Sequence, residues 1–106
     1  MTISLTGILE ARIEKVRKQL EESGFTLELF SGPRRAGKES FAVYLQRRDR
    51  GCHFTVWNSG EVQVSVIDYG RDPSPRETYL SDVGGDRMES ELQKVIVWVS
   101  SGSEAG

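Results

Sequence analysis

The sequence predicts one α+β domain, in which an antiparallel sheet of four to five strands is flanked by an N-terminal and a C-terminal helix. Apolar residues recur with a helical period near both ends of the chain, and they alternate with polar residues along the middle. Short turns separate the alternating segments, and strands joined by such turns are antiparallel because a parallel neighbour needs a crossover of about a dozen residues. Its 106 residues match the usual size of one domain, so we treat positions 1–106 as a single domain.

The first helix is predicted from an apolar stripe near the N-terminus. Charged residues such as Glu10 and Lys18 take other directions, which is the pattern of an amphipathic helix. Gly24 follows the last apolar position and supplies the left-handed conformation that commonly ends a helix. The stripe consists of Leu5, Leu9, Ile13, Val16 and Leu20.

Alternating segments predict the central strands. Phe25–Phe30 is the first, and the second places Phe41, Val43 and Leu45 on one face. The clearest local signal is an antiparallel hairpin from about Cys52 to Tyr69, because β-branched and aromatic residues alternate on both sides of a short Asn-Ser-Gly turn.

The segment after the hairpin is predicted to be mostly loop. Pro73 and Pro75 lie within Gly70–Arg76, and proline cannot donate a backbone hydrogen bond to a sheet. We therefore expect only Glu77–Leu80 to form a short edge strand.

A second helix is predicted to begin at Asp86. Its carboxylate is expected to accept from the first free backbone N–H groups, and Glu89 completes a pattern like a capping box. The β-branched run Val95–Val97 also suits a strand, but the cap and the spacing favour a helix that lies on the sheet. Its apolar stripe is Met88, Leu92, Val95 and Val99, with Ile96 and Trp98 at the margins. If both helices cover the same face, the other face is left to water or to a partner.

Composition and residue usage argue against enzymatic, metal-dependent and exported classes. Cys52 is the only cysteine, so an intramolecular disulfide is impossible and a cytoplasmic location is expected. His53 is the only histidine, and neighbouring strand residues face opposite ways, so the two form neither a metal site nor a nucleophile and base pair. No segment predicts a membrane span. We expect no catalytic residues, no metal and no cofactor.

The basic segment of the chain suggests two classes of ligand, nucleotides and nucleic acids. Gly32–Lys38 has the spacing of a phosphate-binding loop, but Glu39 replaces the required hydroxyl residue and a strand replaces the required helix. Nucleic-acid binding is disfavoured because the chain has a net charge of -2 and a pI near 5.4. Neither class is expected.

Aromatic residues on the side of the hairpin away from the apolar face predict a protein-binding surface. Trp57 shares a side with His53 and Thr55, and Tyr44 opposes the apolar face of its own strand. Large aromatic side chains are favoured contacts at protein interfaces. The competing interpretation is that the second helix covers Trp57 and makes it part of the core. Three carboxylates could rim the patch: Glu61, Asp68 and Asp72.

The chain resembles small bacterial immunity proteins, and more narrowly the TriTu immunity family. The resemblance lies in the N-terminal amphipathic helix, in the segment HFTVWNSGEVQVSVID from His53 to Asp68, and in the closing helix ESELQKVIVWV from Glu89 to Val99. Membership would imply a cytoplasmic, non-enzymatic partner of type VI-secreted ADP-ribosyltransferase toxins that modify elongation factor Tu.

The resemblance further implies that the protein binds the toxin domain and blocks its NAD or substrate cleft. Under that hypothesis Trp57 and Tyr69 are the main contacts, and Glu61, Asp68 and Asp72 pair with cations of the toxin. The protein is expected to be a monomer before it forms the complex. The alternative is an acidic secretion chaperone, which would bind an extended effector segment and would usually dimerise.

Overall fold

Two helices and five strands make up residues 4–31 and 39–101, the part of the chain that the computed structural model describes. The strands form one antiparallel sheet in the order β1-β2-β3-β4-β5, so each strand pairs with its sequence neighbour. This arrangement confirms the predicted α+β class, with five strands. The elements are α1 (Leu5–Glu22), β1 (Thr26–Ser31), β2 (Ser40–Arg47), β3 (Arg50–Trp57), β4 (Val62–Asp68), β5 (Asp72–Leu80) and α2 (Gly85–Ser100).

Helix α1 contains the whole predicted apolar stripe and ends just before Gly24, as predicted. Ser4 is the N-cap, and its hydroxyl accepts a hydrogen bond from the backbone N–H of Gly7 at 3.2 Å. Gly24 follows the C-terminal end with φ of 96°, a left-handed conformation that suits glycine. Of the predicted stripe, Val16 is partly buried, and Leu5, Leu9, Ile13 and Leu20 are buried.

The sheet has one apolar face and one mixed face, as the alternation predicts. On the apolar face, Val43, Phe54 and Val56 are completely buried in adjacent strands. Register places Val43 opposite Phe54, and Phe54 opposite Val64, so this row of side chains runs across three strands. Both helices pack on this face: α1 contacts β1, β2 and β3, and α2 contacts β2, β3 and α1. The core therefore lies between the helices and one side of the sheet.

Strand β5 is longer than predicted. The expectation of a loop over Gly70–Arg76 is wrong, because β5 begins at Asp72 and includes both Pro73 and Pro75. An edge strand pairs on one side only, so a proline whose nitrogen points away from the neighbouring strand loses no ladder hydrogen bond. The register with β4 shifts between Val66 and Asp68, which is the irregularity that accommodates this stretch.

Helix α2 begins one residue earlier than predicted and without the expected cap. Gly84 is the N-cap, no side chain bonds to the free N–H groups, and Asp86 lies in the first turn. The predicted capping role of Asp86 is therefore wrong, although a carboxylate in the first turn still favours the helix dipole. The predicted stripe is confirmed, since Met88, Leu92, Val95 and Val99 are all buried.

Two further expectations concern the segment between β1 and β2 and the membrane. The loop-like motif Gly32–Lys38 lies outside the described residues, but β2 follows it as a strand and not as the helix that a phosphate-binding loop requires. Neither described helix has the length and apolar character needed to cross a bilayer.

Candidate protein-binding face

The side of the sheet that faces away from α1 and α2 carries a concentration of ring side chains; we call this side the open face. Among the described elements, no helix covers it. Phe30 is 44% exposed, Tyr79 is 59% exposed, and Tyr69 in the turn after β4 is 48% exposed. Trp57 is half-buried and not enclosed, so α2 does not make it part of the core. The rings of the open face belong to Phe30, Tyr44, His53, Trp57, Tyr69 and Tyr79.

Two of these rings, Trp57 and Tyr79, form a group with the carboxylate of Glu61, which we call the Trp57 cluster. The rings of Trp57 and Tyr79 are stacked, with their centroids 6.1 Å apart and their planes 30° apart. The Tyr79 hydroxyl donates a hydrogen bond to Glu61 Oε2 at 2.7 Å, and this bond raises the pKa of Tyr79. Two interactions thus hold the exposed Tyr79 ring in one orientation, which lowers the entropy that a partner must remove on binding.

A second group, which we call the Tyr44 cluster, lies towards β1 and consists of Phe30, Tyr44, His53 and Tyr69. The hydroxyls of Tyr44 and Tyr69 are 3.0 Å apart, within hydrogen-bond distance. The ring of His53 lies near those of Phe30 and Tyr44, with centroid distances of 5.6 Å and 6.3 Å. Burial and the hydrogen bond to Tyr69 raise the pKa of Tyr44, so its hydroxyl keeps its proton to a higher pH than a free tyrosine does.

The Tyr44 side chain packs so closely on β3 that position 51 has room only for glycine. A β-carbon at position 51 would collide with the hydroxyl end of the Tyr44 side chain. Gly51 lies opposite Gln46 in β2, and the Tyr44 hydroxyl also lies 3.1 Å from Gln46 Oε1, to which it can donate. The missing side chain at position 51 therefore lets the Tyr44 ring lie close to the sheet.

The structure brings three of the five predicted contact residues to the open face. Trp57 and Glu61 are in the Trp57 cluster, and Tyr69 is in the Tyr44 cluster. Asp68 lies on the helix-bearing side, where its Oδ2 accepts from Arg50 Nε at 3.3 Å and its side chain is 17% exposed. Asp72 is the first residue of β5 and lies opposite Asp68 in register; its side chain is outside the described part of the structure.

Sequence reasoning missed two of the most exposed rings, Phe30 and Tyr79. Phe30 was included in the first strand without a face being assigned, although its even position puts it with Thr26 and Glu28 on the polar side. Tyr79 was missed because the sequence predicts only a short edge strand there, with no face assigned to its residues. The alternation of Thr78, Tyr79 and Leu80 is the signal that could have placed it.

The charged side chains of the open face are carboxylates. Glu28 and Glu77 are exposed at opposite ends of one row that crosses the sheet, and Glu61 adds a third acid. The arginines within the described strands occupy the other face, as the register of Arg47, Arg50 and Arg76 shows. A surface of rings and carboxylates is complementary to a partner that carries cations.

Cys52 and His53 face opposite sides of the sheet, as the alternation of strand residues predicts. Cys52 is fully buried on the helix side, and its pKa is raised to about 12 by burial, whereas His53 is exposed on the open face. Within residues 4–31 and 39–101, no group of three or more His, Cys, Asp or Glu side chains could hold a metal ion.

Comparison with known proteins identifies the kind of partner. The family model described as Immunity protein TriTu matches residues 9–72, which cover α1 from Leu9 onward, the first four strands and the first residue of β5. The chain belongs to the TriTu immunity protein family. No curated protein and no solved structure gives a significant match.

Membership assigns an immunity function and a cognate toxin protein as the binding partner. Immunity proteins generally act without catalysis, by binding. The family match therefore favours toxin binding over the alternative of an acidic secretion chaperone.

Proposed function

We propose that this TriTu-family protein neutralises an antibacterial ADP-ribosyltransferase toxin by placing its open face over the cleft where NAD or the target protein enters. The open face, with its two clusters of ring side chains, is the observation that supports this proposal. Such rings bury a large area when they dock, and each has few rotatable bonds to immobilise. The proposal places the complex in the cytoplasm and its toxin in a type VI secretion system.

Specificity in this proposal comes from the carboxylates between and beside the rings. Glu61 is held by Tyr79 and also accepts from the Ser59 hydroxyl at 3.1 Å, so its position is fixed before the toxin arrives. A cation of the toxin that pairs with Glu61 would meet an oriented carboxylate. Complementary charges of this kind raise the association rate and exclude wrong partners more than they raise affinity.

The first experiment sequences the genes on either side of this one, where the proposal expects an open reading frame for an ADP-ribosyltransferase domain, and uses the domain found there as the partner. Its Kd for the wild-type protein and the inhibition of its ADP-ribosylation activity are measured together. Trp57→Ala and Tyr69→Ala should each weaken binding by about 2 kcal/mol, a factor of roughly 30, because each removes a large ring from the proposed interface.

A matched control separates the open face from a general effect of losing apolar surface. Val97 lies on the outer side of α2 and is 54% exposed, so Val97→Ala removes exposed apolar area away from the sheet. It should leave the Kd unchanged. Full affinity in both ring variants, or equal losses in all three variants, would contradict the proposal.

Charge reversal tests the acids. Glu61→Lys should lower the association rate and its dependence on salt, since it replaces an attractive charge on the open face by a repulsive one. Asp68→Lys and Asp72→Lys test the two predicted acids that the structure does not place on this face. If all three reversals leave affinity and protection of cells intact, the charged part of the proposal is refuted.

The proposed free state is a monomer. Light scattering after size-exclusion chromatography measures the mass directly, and 11.9 kDa corresponds to one chain. A stable dimer that hides Trp57 would contradict an open face that is free to bind a toxin.

A further inference from the structure

A groove on the helix-bearing side of the protein combines an arginine-rich end with an apolar end. The arginine-rich end is a cavity of about 320 Å³ between the C-terminal part of α2 and the end of the β4–β5 pair. Arg50, Arg71 and Arg76 line it together with Ser74, Asp68 and Trp98. We call the whole depression the arginine groove; it lies on the opposite side of the sheet from the open face.

The charges of the described side chains in this cavity do not cancel. Asp68 is paired with Arg50 at 3.3 Å, and Arg50 also donates to the backbone carbonyl of Trp98 at 2.8 Å. The guanidinium groups of Arg71 and Arg76 make no hydrogen bond or ion pair with any described residue. Two unpaired cations in one concave site attract an oxyanion, whose oxygens match the forked N–H geometry of arginine.

The apolar end adjoins the arginines. A second cavity of about 320 Å³ shares Val66 and Trp98 with the first and continues along Val64, Thr78 and Val95. Glu91 and Lys94 also line it, and they pair with each other at 2.8 Å, so their charges cancel. The cation of Arg50 lies 4.4 Å from the centre of the Trp98 ring, so Trp98 joins the charged and apolar parts. A ligand that fills both cavities needs an anionic group at one end and a hydrocarbon or aromatic group at the other.

We infer that the arginine groove binds a small organic oxyanion, a phosphate or carboxylate whose charged group lies against Arg71 and Arg76 and whose apolar part lies over Val66 and Trp98. This site is independent of toxin binding. Its position behind the sheet leaves the open face available, so the protein can hold such a ligand and its toxin at the same time.

The test uses phenyl phosphate as the probe and the two indole N–H signals of the ¹⁵N-labelled protein as reporters. A Trp57→Phe variant assigns the two signals. Binding should shift the Trp98 indole signal saturably and leave the Trp57 signal in place. Inorganic phosphate alone should bind more weakly, because it does not reach the apolar cavity, and benzoate shows whether a carboxylate serves as well as a phosphate.

The Arg71→Ser/Arg76→Ser double variant should weaken phenyl phosphate binding by about tenfold or more. Arg87→Ser is the matched control, since Arg87 is an exposed arginine of α2 that lies about 16 Å along the helix axis from Trp98. It should bind like the wild type. If the double variant fails to fold, the two single variants replace it, with about threefold weakening expected from each.

Equal titrations of the wild type, the double variant and Arg87→Ser would overturn the inference, as would a shift of the Trp57 signal alone. A result of either kind would leave the proposed toxin-binding face untouched, because no toxin is present in these titrations.

Discussion

Replacement of Arg50 by methionine should lower the free energy of unfolding by about 3 kcal/mol. Arg50 of β3 links the C-terminal end of α2 to the sheet through hydrogen bonds. Its Nη1 donates to the Trp98 carbonyl at 2.8 Å, and its Nε donates to Asp68 Oδ2 at 3.3 Å. Its guanidinium also lies over the Trp98 ring at 4.4 Å. Arg50 Nη1 also lies 3.4 Å from the Ser101 hydroxyl oxygen. Methionine keeps most of the apolar stem and removes all of these interactions.

The magnitude follows from the partly buried environment of the pair. A charged donor to a carbonyl contributes about 1.5 kcal/mol, and a cation over an aromatic ring contributes about 0.5 to 1 kcal/mol. The side chains of Arg50 and Asp68 are 21% and 17% exposed, so loss of one partner leaves the other charge poorly solvated, at a cost of about 1 kcal/mol. The sum is a large part of the roughly 5 to 15 kcal/mol that stabilises a typical domain.

Urea denaturation measures the change. With an m-value of about 1.5 kcal/mol per M, the midpoint should fall by about 2 M. Arg17→Met is the control, because Arg17 pairs with Glu21 on the surface of α1, where the side chains are 46% and 49% exposed. That variant should change stability by less than about 0.5 kcal/mol.

A double-mutant cycle with Asp68→Asn isolates the ion pair and should give a coupling free energy of about 1 kcal/mol. The reasoning is refuted if Arg50→Met loses no more stability than Arg17→Met, or if the coupling is zero. The same cycle bears on function, since it measures how much of any effect of Asp68 substitution on toxin binding comes from stability.

Three further predictions concern single positions. Cys52 should resist thiol reagents in the folded protein at pH 8 and react on unfolding. The free energy of unfolding should fall as pH rises from about 9 towards 12, because the thiol keeps its proton in the folded protein and loses it in the unfolded chain. Cys52→Ala should reduce this slope by up to about 1.4 kcal/mol per pH unit in urea titrations. Gly51→Ala should cost about 1 to 2 kcal/mol in urea titrations and displace the Tyr44 ring, with a chemical-shift change at Tyr69; unchanged Tyr44 and Tyr69 signals would contradict this. Gly24→Ala should lower thermal stability by about 1 kcal/mol because φ is 96° there, and an unchanged melting temperature would show that this backbone relaxes without cost.

The local spacing of apolar and polar residues was sufficient to predict most of the helices and strands. The helical stripe from Leu5 to Leu20 and the alternation around Phe54 arise because each element buries one side. The buried side of an element can be recognised from the residues of that element alone. The predictions of secondary structure were wrong where the position of a strand in the sheet matters more than the strand preference of its residues. Pro73 and Pro75 are poor strand residues in general, yet they suit an edge, and sequence alone does not show which strand is the edge.

The binding face was only partly predictable for a related reason. Trp57 was placed correctly because its side of the strand follows from alternation, whereas the contact between Tyr69 and Tyr44 joins residues 25 positions apart. Closeness in sequence did not predict the surface on which Asp68 lies. Asp68 is close to Glu61 in the chain, but it lies on the other side of the sheet and pairs with Arg50. Charges that are neighbours in sequence share a surface only when strand parity allows it.

NMR cross-saturation of the complex between the ¹⁵N-labelled protein and its unlabelled toxin domain tests the central claim most directly. Irradiation of the toxin should attenuate the Trp57 indole signal and the amide signals of Thr55 and Gln63, which lie on the open face, and should spare the outer surfaces of α1 and α2. Strong attenuation at Val97 and along the exposed side of α1, with the Trp57 signal unaffected, would show that the toxin binds the helices and would contradict the account.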